Sequence, residues 1–139
     1  ELIGGRFRWS RGARIATVPE ARLEDFGSGL TPVNQGWFVV NVRDAEWWNS
    51  ESRGARCAFD NEYGDPPVEF AQLGINVTVL EPGQMGLYHA EANQEGFLVV
   101  SGECALIVED EEQRLRPWDF FHAPRGPSTP SWGRARGRA

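Results

Sequence analysis

Lysine is absent from this sequence: all 14 basic residues are arginine. Arginine codons are mostly GC-rich and lysine codons AT-rich, so the composition is that of a GC-rich gene. Long apolar runs are absent too. No stretch approaches the ~18 residues that a membrane-crossing helix needs. The first ten residues, Glu-Leu-Ile-Gly-Gly-Arg-Phe-Arg-Trp-Ser, hold no continuous apolar segment of the kind a secretory signal requires. These absences predict a cytoplasmic chain with no membrane partner. Cysteine is scarce. Cys57 and Cys104 match no metal-ligand spacing and read as two free buried thiols, with a disulfide between them the alternative. The 139 residues suffice for one domain and are too few for two comfortable cores.

Acid outweighs base, with a net charge of −6, which argues against nucleic acid as a partner. The excess is concentrated in the middle: residues 15–124 carry 6 Arg against 19 Asp and Glu. Both ends are basic, and neither interleaves aromatic and basic residues as a single-strand-binding groove does. The division expected is an unstructured leader over 1–14, an extended N-terminal arm over 15–36, a β body over 37–125 and an aberrant Arg-rich tail over 126–139.

What the chain has in quantity is turn and ring residues: 16 Gly, 9 Pro, 6 Trp and 8 Phe, a mixture that suits a turn-rich β protein. Trp37 to Val42 reads as a β-type run, Asp44 to Trp48 as one helical turn capped by Asp44, and Arg56 to Phe59 as a strand. Asn61 to Pro67 is a loop. Then the rhythm becomes regular. Leu73 to Leu80 alternates, with Ile75, Val77 and Val79 on one side and Asn76 and Thr78 on the other. Further strands are expected at Gly86–Glu91, Glu95–Ser101, Cys104–Val108, Gln113–Arg116 and Trp118–Ala123, with an acidic hairpin tip at Glu109–Glu112. Strands every 8–12 residues, punctuated by Gly or Pro turns, indicate an all-β sandwich, barrel or jelly roll. Trp37, Trp47, Trp48 and Trp118 read as core or interface residues.

One group of residues carries chemistry. His89 and Glu91 stand two apart on a strand and share a face, and Glu95 opens the next strand after a short turn. Phe97 and Val99 share the face of Glu95, so the three polar groups would converge in an apolar interior. Carboxylates there are costly alone, and a bound cation offsets the cost. Imidazole plus carboxylate with open positions suits Mn, Fe, Ni or Zn and does not look like a thiolate zinc site. Tyr88, Phe97 and His122 are candidate pocket residues.

Gly83-x5-His89-x-Glu91-x3-Glu95-x6-Gly102 resembles the first cupin motif, G-x5-H-x-H-x3,4-E-x6-G. Five of six anchors fit, and Glu91 stands where the second His usually is. The likeness extends more weakly over about residues 37–126. It implies a cupin-type jelly-roll β-barrel, a metal held by His89 and Glu95 with Glu91 a ligand by position, and a homodimer. No organic cofactor is expected. The second cupin motif, G-x5-P-x-G-x2-H-x3-N, is half present. Pro124 and Gly126 fit, Trp118 replaces the first Gly, Thr129 stands where the His belongs, and Gly133 stands where the Asn belongs. His122, just before Pro124, is the candidate substitute ligand, set against a structural polar histidine.

After Arg125 the alternation stops, and the last strands of the barrel are expected to be missing or aberrant. Back-translated with GC-rich codons and read one nucleotide out of frame, residues 126–139 can encode Gly-Thr-Glu-His-Thr-Phe-Val-Gly-Ala-Gly-Glu-Gly-Pro-Cys. That string puts a His at position 129, so a frameshifted ending is the expectation. Three functions stand side by side: a metal-dependent enzyme acting on a small molecule, a non-catalytic ligand-binding or sensor cupin without metal, and a barrel with a vestigial polar cluster. In the first, the cation could polarise a carbonyl, as an isomerase needs, or bind dioxygen if it is iron. Glu91 would then be a ligand or a general base.

Overall fold

The computed structural model describes residues 18–89, 93–125 and 132–137, and at 88–89 and 132–137 it describes the backbone. All regular structure among these residues is β. A small hairpin comes first, β1 (Leu23–Asp25) with β2 (Leu30–Pro32). It falls within the stretch expected to be an extended arm. Its turn is closed by the Asp25 carboxylate, whose Oδ1 accepts from the Gly27 and Gly29 amides at 2.7 and 3.2 Å. An Asp that mimics the next carbonyl in this way closes a turn with no regular periodicity to announce it.

Trp37 to Val42 does not form a strand; it makes one bridge, between Trp37 and Glu20. Val39 is 82% exposed. β-type side chains without a neighbouring strand to pack on have no reason to pair. The helical turn expected from Asp44 is instead a reverse turn built by Asn41. The Asn41 side-chain oxygen accepts from the Arg43 amide, and its carbonyl accepts from the Asp44 and Ala45 amides. Asn competes well for the backbone in non-helical conformations.

Three strands follow as one antiparallel sheet: β3 (Trp48–Ser50), β4 (Gly54–Phe59) and β5 (Ile75–Val79). The register sets Ala55 opposite Val79, Cys57 opposite Val77 and Phe59 opposite Ile75. The alternation in Leu73 to Leu80 therefore holds a true strand at Ile75–Val79, and its apolar side shares a face with fully buried Cys57. Tyr63 packs edge-on against Phe59 at 5.0 Å and is tied by a 2.7 Å hydroxyl bond to the Leu30 carbonyl.

The second half of the chain supplies β6 (Tyr88–His89), β7 (Glu95–Leu98), β8 (Cys104–Val108), β9 (Glu111–Leu115), β10 (Phe120–Ala123) and β11 (Trp132–Gly137). β7 pairs with β10, and a four-stranded sheet runs in the order β6-β11-β8-β9. β8 begins and ends where the sequence predicts. The β8–β9 turn is tighter than the acidic run implies: only Glu109 and Asp110 form it, both with positive φ, as a two-residue primed turn requires. The tail, expected to lack β structure, carries β11. This strand lies between β6 and β8 and has a register irregularity between Gly133 and Arg136. Leu106 and Ala123 form the buried centre of this half, with Phe97, Val108, Leu115 and Phe121 packed round them. Among the described residues no ring of strands closes into a barrel.

Candidate functional site

The two glycines that bracket the metal-type sequence both have positive φ, +88° at Gly83 and +73° at Gly102. Only glycine adopts that backbone without strain, so the residue type at these two anchors follows from the turns they make. Between them the chain forms β6 and β7.

On β7, Glu95 and Phe97 are half-buried while Gly96 and Leu98 face outward. β10 alternates in step: Phe121 and Ala123 face in, and Phe120 and His122 face out. The register confirms the match, with Glu95 opposite Ala123 and Phe97 opposite Phe121. The Glu95 Oε2 atom is screened from solvent. A carboxylate thus stands on an apolar inner face beside two phenyl rings, as the alternation predicts. His122 stands opposite Gly96 on the other face and is exposed. The structure does not bring it together with Glu95, because one residue of register moves a side chain to the opposite face of a strand.

His89 enters through its strand position. It pairs with Trp132, Trp132 with Val108, and Val108 with Glu111, giving one row across four strands. Tyr88 belongs to the adjacent row with Gly133, Ile107 and Glu112. Glu91 lies outside the described residues. Among the described residues no group of three His, Cys, Asp or Glu side chains lies within reach of one ion.

Val108 and Glu111, the row-mates of His89, line a cleft of about 480 Å³. Its other walls are Leu106, Leu115, Phe120 and Phe121, with Glu109 and Gln113 at the polar side. Phe121 is also the cross-strand partner of Phe97, two residues from Glu95. The cleft therefore lies between β10 and the β8–β9 pair, beside the strand pair that bears Glu95. Its size is that of a small-molecule site. Sequence reasoning named Phe97 but missed Phe121 and Glu111. The alternation of Cys104, Leu106 and Val108 was the available signal for that wall, and only the β8–β9 pairing adds Glu111 to it.

An all-β fold with a half-open cleft between its strands, Glu95 on a neighbouring inner face and His89 in the strand row beside it, is the organisation of a small β-sandwich or barrel. Residues 76–138 match the cupin domain, which supports membership of the cupin superfamily. The matched residues include Gly83, His89, Glu91, Glu95 and Gly102, and they continue through β11. No curated protein and no solved structure matches the chain.

Proposed function

We propose that this cupin holds a divalent transition metal through His89, Glu91 and Glu95 and receives a small molecule in the adjoining cleft. The observation that carries the reading is the register. It supports the reading by setting Val108 and Glu111, the row-mates of His89, on one wall of the cleft and Phe121, opposite Phe97 and two residues from Glu95, on the other. The donor set fits such an ion: one imidazole and two carboxylates neutralise a dication, and carboxylate in an apolar surround favours a bound cation. When bound, the metal supplies Lewis-acid polarisation of a carbonyl, or dioxygen chemistry if it is iron. The chain's own residues do the rest. Phe97, Phe121 and Leu106 exclude water, and Glu111 and Glu109 give the cleft an acidic rim. Glu91 serves as ligand or as general base. His122, on the outer face, has no part in this set.

The alternative is a ligand-binding cupin without metal, which the apolar cleft would serve equally well. Metal analysis of the purified chain separates the two. Stoichiometric Mn, Fe, Ni or Zn supports the metal reading. Ligand uptake by protein free of metal, unchanged when metal is added, favours the alternative. A homodimer is part of the proposal on the cupin likeness alone, and sedimentation tests it.

A further inference from the structure

We propose that the trough over β3, β4 and β5 is a second binding site, one for a small planar carboxylate, and it stands independently of the metal reading. The register sets Trp48, Arg56 and Thr78 side by side across the three strands. Arg53 joins them from the β3–β4 connection, where its amide donates to the Ser50 hydroxyl oxygen at 3.3 Å. Leu87 closes one side. The trough has a volume of about 270 Å³, at the small end for ligand sites.

Charge is what distinguishes this trough. Residues 15–124 hold only 6 arginines against 19 carboxylates, yet two of the six line this one cavity and no carboxylate does. Arg56 is held in place by Asp60, whose carboxylate accepts from its Nη2 at 3.1 Å. Its Nε is buried without a hydrogen-bond partner, which leaves the guanidinium only partly satisfied. Arg53 is exposed and forms no ion pair among the described residues. Two arginines that line one trough with no carboxylate among its lining residues can pair with an external anion there.

The apolar wall selects the kind of anion. Trp48 is 64% exposed, with its indole offered to the trough. An open indole beside two guanidiniums receives a planar ring on its face while the ring's carboxylate meets the fork of Arg53. A bare phosphate would use the arginines and leave the indole wet.

Calorimetric titration of the full chain with benzoate, benzamide and inorganic phosphate tests this. Benzoate is expected to bind saturably, with benzamide at least about tenfold weaker, since it lacks the charge that strengthens the hydrogen bonds. Arg53→Gln, at an exposed position outside any strand, is expected to weaken benzoate by about tenfold without changing the melting temperature. Trp48→Ala is expected to weaken benzoate and leave phosphate unaffected. Absence of saturable benzoate binding, equal binding by Arg53→Gln, or phosphate binding as tight as benzoate would overturn the proposal.

Discussion

Phe97 on β7 and Phe121 on β10 face each other across the strand pair with ring centroids 5.2 Å apart. They connect the inner face of Glu95 to the buried pair Leu106 and Ala123. Phe121→Ala removes this ring contact and opens the cleft toward the core. Because the ring is half-buried, the loss is expected near about 2 kcal/mol, below the range for a fully buried phenylalanine. Urea unfolding measures it as a lower midpoint with an unchanged slope.

Tyr63 couples the β1–β2 hairpin to the β4 sheet. Its phenol is pushed up to about 12 by burial first, then by Cys57 and Glu46. The unfolded phenol ionises near pH ~10. Below that pH the phenol is neutral in both states and its full contribution is present. Between the two values the unfolded chain releases a proton that the folded chain keeps, so stability falls as pH rises. Thermal melts from pH ~8 to ~11 should show this decline. Tyr63→Phe should make it shallower, leaving the part due to the two raised thiols, at a cost of about 1 kcal/mol for the lost bond to the Leu30 carbonyl.

Both thiols are poor nucleophiles in the folded chain. Burial, then Glu46, pushes the Cys57 thiol up, and burial, then Asp119, does the same for Cys104. Alkylation goes through the thiolate. Iodoacetamide near neutral pH should label half-buried Cys104 slowly and fully buried Cys57 more slowly still, with both reacting once urea unfolds the protein. Rapid labelling of Cys57 in native buffer would contradict its burial on β4 opposite Val77.

β11 is the strand neighbour of β6 among the described residues and also the neighbour of β8. Removing residues 126–139 should lower the melting temperature and reduce metal uptake, because the strand that carries His89 loses its hydrogen-bonding partner. A truncated chain that melts and binds metal like the full one would show that the tail plays no part in the fold.

How much of this could be read from the residues varies along the chain. β5 and β8 were legible because Ile75, Val77 and Val79, and Cys104, Leu106 and Val108, alternate plainly. β11 was not, because Gly-Arg-Ala-Arg-Gly offers no apolar alternation and its pairing rests on backbone hydrogen bonds. The Asp25 and Asn41 turns were missed for a similar reason. Each depends on one side chain capturing nearby amides, which leaves no period in the sequence. At the site, the face shared by Glu95 and Phe97 followed from spacing alone. The outward position of His122 did not, since it depends on which residue of β10 meets Glu95.

We propose a divalent metal held by His89, Glu91 and Glu95, and elemental analysis of the purified full chain, wild type beside Glu95→Ala, decides the matter. One transition metal ion per chain is expected in the wild type and its loss in the variant, with the variant still folded by circular dichroism. Stoichiometric metal retained by Glu95→Ala would rule the site out.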